Sequence, residues 1–353
     1  MATRIYLDHA STTPILPEAA DAIRAACEVW ANPSSAHAEG RAVRAMMEEA
    51  RRRIAAALGW DGTLIFTSGA TEAIEIVMRR AKAGSRIASA VEHPAVLRCL
   101  PDREIAVGGD GMLDLADLDS ALAAAERPLV AVQSVNNETG VIHPIAEIAA
   151  RVRAAGGLLL VDCAQSAGKL PLPEADFISI AAHKLGGPPG IGALLVRDTA
   201  TLEAVGGQEG GHRPGTAAVP MIMGFAAACE ADHGWYQEAK RLRATLDAGI
   251  AAAGGEIVAG AAPRIATIAG YRMPGVPAAA QMMQLDLAGI AVSAGSACSS
   301  GSLKTSHVLT AMNMAEEEAR EVIRVSFGPA TSDSDLDALL SEWRKLYERR
   351  RAA

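Results

Sequence analysis

The chain has 353 residues, half of them hydrophobic, and a formal net charge of −8. That length supports a sizeable core in two lobes, and the acidic balance argues against a nucleic-acid binder, which needs a basic face. No run of about 20 apolar residues occurs, so no membrane span is expected, and the first residues lack the shape of a signal peptide.

Strands and helices alternate from about residue 14 to 235. Apolar strands are predicted at Thr63–Phe66, Arg86–Ala90, Ile105–Val107, Leu129–Val135, Leu158–Val161, Phe177–Ile180 and Ala193–Val196. Helices are expected at Ala70–Ala81, from His93-Pro94 onward, and near 115–125 and 144–155. Such alternation implies an α/β fold with a mostly parallel seven-stranded sheet covered on both faces. After 235 the pattern changes. Helices near 236–253, 276–288 and 333–349 mix with strands at Glu256–Ala259, Ile265–Ala269, 290–293 and Val322–Phe327, which reads as a smaller α+β lobe. The expected division is 14–235 for the large domain, with 1–13 and 236–353 forming the small one.

Lys184 stands out. It follows His183 between two strand-length apolar runs, in a chain with six lysines and 27 arginines. A desolvated lysine loses its proton readily and becomes a nucleophile toward carbonyls, as a lysine that binds pyridoxal phosphate must be. Asp162 ends the apolar run Leu158–Val161, where ligands bind in open α/β sheets. A carboxylate there could hold a pyridinium nitrogen protonated, or simply cap the next helix. Gln165, three residues on, could donate to a ring oxygen. Thr67-Ser68-Gly69-Ala70-Thr71 reads as a strand end running into a helix start, either an anion site or an ordinary N-terminus. His93 follows another strand end and could stack on a flat ring or pack on Pro94. Asn136 and Asn137 could offer amide donors or form a plain turn. Arg324, inside an alternating strand, has a fork that matches a carboxylate, or else lies on a solvated strand face.

The five cysteines (27, 99, 163, 229, 298) are far apart, odd in number and without a Cys-x-x-Cys pair. Neither zinc nor a disulfide framework is suggested, and a reducing cytoplasm is the simplest setting. Cys298 lies in a Gly/Ala/Ser-rich stretch, expected to be a mobile, exposed loop at about 294–304 and suited to receiving and delivering a group. The other four read as packing residues.

Taken together, these motifs resemble the cysteine desulfurases, in the class V aminotransferase group of fold-type I pyridoxal-phosphate (PLP) enzymes. The similarity runs in order through Tyr6–Pro14, Asn32–His37, Thr67–Glu72, Glu92–Val96, Asn136–Gly140, Asp162–Gln165, His183-Lys184, Gly206–Thr216, Ala294–Ser300 and Ile323–Ser326. It implies conversion of L-cysteine to L-alanine, with sulfur passing to Cys298 as a persulfide and then to an acceptor, such as an iron–sulfur scaffold protein. It implies Lys184 as the Schiff-base lysine, Asp162 at the pyridine nitrogen, Gln165 at the phenolic oxygen and His93 stacked on the ring. Ala70, Thr71 and His183 would hold the phosphate. Thr216 would come from the partner of a homodimer, and Asn137 and Arg324 would bind the substrate carboxylate. Two positions depart from many relatives: Ala181 stands where a serine is common, and Gly210 stands where the pattern Glu-Arg-Gly has arginine. A selenocysteine lyase or another class V enzyme is the alternative within the fold. A sulfur-binding regulatory protein is the alternative outside catalysis.

Overall fold

A computed structural model describes residues 4–295 and 305–352. The strands, in chain order, are β1 Ile5–Tyr6, β2 Thr63–Thr67, β3 Arg86–Ser89, β4 Arg103–Ile105, β5 Leu129–Gln133, β6 Leu158–Asp162, β7 Phe177–Ala181, β8 Gly192–Val196, β9 Glu256–Ile257, β10 Ile268–Arg272, β11 Ile290–Ala291, β12 Ser293–Ala294 and β13 Val322–Ser326. Strands β2 to β8 form one seven-stranded sheet in the order β2-β8-β7-β6-β5-β3-β4. Strands β3 to β7 are mutually parallel, and β8 runs antiparallel to both β2 and β7. Every residue of β5, β7 and β8 is buried, which is why these strands read as unbroken apolar runs. This is the mostly parallel α/β sheet that the alternation predicts.

The strand Ile5–Tyr6 and the short helices His307–Ala311 and Glu316–Ala319 were not among the predicted elements, and neither were three long helices, Pro17–Glu28, Ala38–Leu58 and Val219–Glu230. Pro17–Glu28 and Ala38–Leu58 both pack on Val219–Glu230, and the latter two share a core with one face of the sheet. Gly224 passes so close to Pro17–Glu28 that a Cβ there would lie 2.6 Å from Ile23. The longest carries ordinary end signals: His37 accepts from the Gly40 amide, and Gly59 closes the helix at φ +67°. Other differences concern boundaries. The strand expected at 105–107 ends at Ile105, because Val107 turns away to bridge Leu113. Ile265 donates its amide to Gly140 rather than joining β10, which starts at Ile268. The segment 290–293 divides between two sheets, β11 beside β1 and β12 beside β13.

A second core lies outside the large sheet, around β10, β13 and the helices Trp235–Ala252 and Asp333–Ala352, with Tyr271, Phe327 and Trp343 fully buried. Leu7 belongs to it, and the Ser326 amide donates to the Leu7 carbonyl at 2.8 Å. Only six residues later, the Thr13 amide donates to the His183 carbonyl at 2.9 Å, just beyond β7. The N-terminal segment therefore ties the second core to the sheet edge where Lys184 stands.

Phe177, fully buried in β7 among residues of one sheet face, tests the packing. Phe177→Ala is expected to lower unfolding free energy by about 3–5 kcal/mol, read as a shifted midpoint in urea denaturation at constant slope.

Candidate active site

The carboxyl ends of β3, β5, β6 and β7, with the turn after β2, open into one cavity of about 510 Å³. This is where an open α/β sheet binds ligands. Nine of the predicted residues line it: Ala70, Thr71, His93, Asn137, Asp162, Gln165, His183, Lys184 and Arg324. Thr216 is exposed and lies outside the cavity of its own chain. Cys298 lies outside the described residues.

Lys184 sits in a single 3₁₀ turn directly after β7. Its ammonium donates to the carbonyls of Ala10 and, at 2.7 Å, Ser11. Burial lowers its pKa to about 8, helped by the charges of Arg324 and Lys169 and opposed by Asp162 and Asp8. A substantial part of the amine is thus neutral near physiological pH, against about 10.4 for an unperturbed lysine. Lys169, whose pKa burial also lowers to about 8, sits behind it and donates to the Gln165 carbonyl at 3.1 Å.

Asp162 ends β6. Its Oδ1 accepts from Ser179 Oγ and from the Ala164 amide, both at 2.9 Å. Both bonds fall on one oxygen, so Oδ2 has no donor among the described residues and is free for a ligand N–H. The same carboxylate therefore caps the following turn and faces the cavity, so the two readings of Asp162 are compatible. Gln165 is fixed by a bond from its Nε2 to the Ala10 carbonyl at 2.9 Å, with a second N–H to spare.

The helix Ala70–Arg80 starts without a side-chain cap, at Gly69, leaving its first amides unpaired toward the cavity. A neutral imidazole stands near, because burial lowers the His183 pKa to about 4, reinforced by Lys184; its Nδ1 lies 3.1 Å from Thr12 Oγ1. His93 caps the short helix Pro94–Leu97, accepting from the Ala95 amide at Nδ1. Surrounding protein pushes its pKa down although one edge of the ring is open to the cavity, and nearby Lys184 acts in the same direction. Neutral His93 therefore carries its proton on Nε2.

The Asn pair divides its work. Asn136 is spent on the turn, its Oδ1 accepting from the amides of Glu138 and Thr139 at 2.9 Å. Asn137 alone lines the cavity. Arg324 is buried on β13 rather than on a solvated face. Its Nη1 donates to the Asn137 carbonyl at 3.0 Å, and its Nη2 to Asp8 Oδ1 at 2.9 Å and Ser11 Oγ at 2.6 Å. Its Nε is buried with no partner among the described residues. An orphaned buried guanidinium N–H lining a cavity suits an anionic ligand.

Sequence reasoning missed Asp8, Ser11 and Ser179, which orient Arg324 and Asp162, and the carbonyls of Ala10 and Ser11 that hold Lys184. The Tyr6–Pro14 motif contains most of them, yet backbone carbonyls leave no trace in a sequence. It also missed Glu138, buried just beyond Asn137. The reading of four cysteines as packing residues holds for Cys163 and Cys229, which are buried, and for Cys99, which packs half-buried against the core. Cys27 is exposed on the outer face of its helix, which is a correction.

The class V aminotransferase family model matches residues 5–339. A cysteine desulfurase of Cereibacter sphaeroides is 36% identical over 382 aligned positions, covering 99% of this chain and 97% of that protein. Among solved structures, a NifS-like protein of Rickettsia africae superposes with a TM-score of 0.91 at 31% identity, covering 98% of this chain and 99% of that one. A structure described as SspA in complex with cysteine gives 0.80 at 28% identity, covering 94% and 100%. The chain belongs to the class V aminotransferase family, whose members work with PLP, and its fold is that of the fold-type I enzymes. Among the described residues no helix is long and apolar enough to cross a membrane.

Burial sets the low titration of Lys184, and the charges around it tune it. In cofactor-free protein, acylation of Lys184 followed by peptide mass spectrometry is expected to rise through a midpoint near pH 8, well below that of an ordinary lysine. Asp162→Asn removes a stabilising charge and lowers the midpoint, whereas Arg324→Gln removes a repelling one and raises it.

Proposed function

We propose that this chain is a PLP-dependent cysteine desulfurase that converts L-cysteine to L-alanine and passes the sulfur, as a persulfide on Cys298, to an acceptor protein. One observation carries the reading: the low-pKa amine of Lys184 shares a cavity with the free Oδ2 of Asp162 and the orphaned Nε of Arg324. A basic amine, a carboxylate for a ring nitrogen and a donor for a carboxylate are the three groups that PLP and an amino acid require together. The uncapped helix start at Ala70 and Thr71, with His183 beside it, adds a phosphate cradle. The residues present therefore fit the cofactor.

In the proposed site, Lys184 is the covalent attachment point and, once released, the base that removes the α-proton of cysteine. Bound PLP supplies the electron sink that makes this proton acidic. Asp162 Oδ2 would accept the pyridine N–H, Gln165 would donate to the ring oxygen, and the His93 ring would cover one face. Asn137 and Arg324 hold the substrate carboxylate. Cys298, as thiolate, would form a new S–S bond to the substrate sulfur while the carbon–sulfur bond breaks, the electron pair of that bond staying with the substrate carbon, which takes up a proton so that alanine leaves. The enzyme works as a homodimer in which Thr216 completes the phosphate site of the partner, a role consistent with its exposed position. The acceptor is a sulfur-carrier or iron–sulfur scaffold protein, and the setting is the cytoplasm. Residues 14–235 form the PLP-binding domain, and 1–13 with 236–353 form the smaller domain.

Incubation of the purified enzyme with L-cysteine tests the assignment. Wild type releases alanine, and borohydride reduction fixes the cofactor on Lys184. Cys298→Ala keeps the cofactor's absorption band and cysteine binding but loses persulfide formation by about 100-fold or more; full-rate sulfur transfer in that variant rules out the acceptor role. Arg324→Lys loses the planar fork and is expected to raise KM for cysteine about 10- to 100-fold, roughly 1.4–2.8 kcal/mol.

A further inference from the structure

We infer that Glu138 is a positioning residue for the sulfur-transfer step, its buried carboxylate fixing both ends of the segment that carries Cys298. The inference builds on the reading of Cys298 as sulfur acceptor. Glu138 projects from a turn that cannot shift easily. The Asn136 side chain closes the turn through three bonds, to the Glu138 and Thr139 amides and the Thr139 hydroxyl. Gly140 ends it at φ +78°, and a Cβ there would lie 2.3 Å from the Ile268 carbonyl of β10. From this fixed point Glu138 Oε2 accepts from Ser306 Oγ at 2.5 Å. The Ser306 oxygen also accepts the Leu309 amide at 3.2 Å, so its single proton is committed to Glu138.

Gly295 stands at the other end of the segment. A Cβ built on it would lie 1.9 Å from Glu138 Oε2 and 2.7 Å from Cδ. No larger residue fits without displacing the carboxylate. One side chain thus seats the residue just after β12 and the residue just before the helix His307–Ala311. The neighbouring residue Asn137 lines the cavity, and its carbonyl receives Arg324. The group that holds the substrate carboxylate and the group that seats the thiol's segment therefore sit one peptide apart on one rigid turn. That arrangement fixes the distance between the bound substrate and the two points from which the thiol must reach it. Reaction rates are steep in such placement, about 100-fold for an ångström. Among the described residues this buried carboxylate has one hydroxyl donor, Ser306, and burying a carboxylate is costly for the fold, so its presence calls for a use beyond packing.

Holoenzyme variants test the role, with separate readouts for cofactor absorption, cysteine binding and persulfide appearing on Cys298 by mass spectrometry. Glu138→Ala is expected to keep the first two near wild type and slow the third about 10- to 100-fold. Glu138→Gln, whose amide carbonyl still accepts from Ser306, restores most of the rate. Gly295→Ala slows persulfide formation by collision with Glu138, and combining it with Glu138→Ala adds little further loss, because the two act through one contact. The inference is overturned if Glu138→Ala forms persulfide at the wild-type rate. It is equally overturned if cofactor absorption, cysteine binding and persulfide formation fall in the same proportion, or if Gly295→Ala and Glu138→Ala are additive. Cys298→Ala run alongside separates the two levels. If that variant still transfers sulfur, the acceptor reading fails and the role of Glu138 with it; if it does not while Glu138→Ala is normal, only the role of Glu138 fails.

Discussion

The placement of one amine at the end of a buried strand governs the rest of this molecule. Lys184 cannot be solvated as lysines usually are, because β7 and the adjoining β8 are wholly buried. Its proton is therefore held by two backbone carbonyls from the far end of the chain, Ala10 and Ser11. Burial works against that proton first, aided by the charges of Arg324 and Lys169 and opposed by those of Asp162 and Asp8. A lysine left with no acceptors would lose its charge altogether, and one paired tightly with a carboxylate would never give it up. The observed environment lies between, where the amine can change protonation state within reach of physiological pH.

That balance requires both cores. Asp162 and Lys184 belong to the large sheet, Arg324 belongs to β13 of the second core, and the segment from Leu7 to Thr13 spans the two. The segment bonds to Ser326 at one end and to His183 at the other, while Asp8 and Ser11 hold the guanidinium and the carbonyls beside them hold the amine. Arg324 thus reaches the cavity with two of its nitrogens spent on position and one left over. An arginine so constrained loses little further freedom on meeting a carboxylate, which favours recognition by preorganisation.

Legibility in the sequence followed chemistry more closely than geometry. Strands β5 to β8 are buried on both faces, so their apolar runs announced them. The residues at their carboxyl ends, Asp162 and Lys184, stood out as charges after apolar stretches. The helices Pro17–Glu28 and Ala38–Leu58 were less visible because much of their surface is alanine and exposed charge. Val219–Glu230 is instead apolar nearly all round and has little periodicity. Asp8 and Glu138 were hidden for another reason. Each acts on a residue more than a hundred positions away, Asp8 on Arg324 and Glu138 on Ser306. Such pairings exist only after folding, and no local spacing encodes them.

The two departures from the usual family pattern can be weighed against this geometry. Ala181 lines the cavity and is buried, so a serine hydroxyl at this position would have faced the ligand. A hydrogen bond to a charged group is worth about 1.5–3 kcal/mol, a loss in anion affinity rather than an abolition. Among the donors that remain are the amides of the helix start, and these cannot be removed by side-chain substitution. Gly210 has a different context. Glu209 before it is gripped by both terminal nitrogens of Arg51, at 2.8 and 3.0 Å, and also accepts the Phe66 amide of the edge strand β2. The carboxylate thereby covers an N–H that an edge strand would otherwise expose. Glu209 and Gly210 both have positive φ, 53° and 64°. Left-handed backbone favours glycine over arginine at the second position, so the substitution trades a basic side chain for an easier turn. The segment leading to Thr216 keeps its anchor on the sheet edge, and the charge lost at 210 leaves the fold that carries it intact.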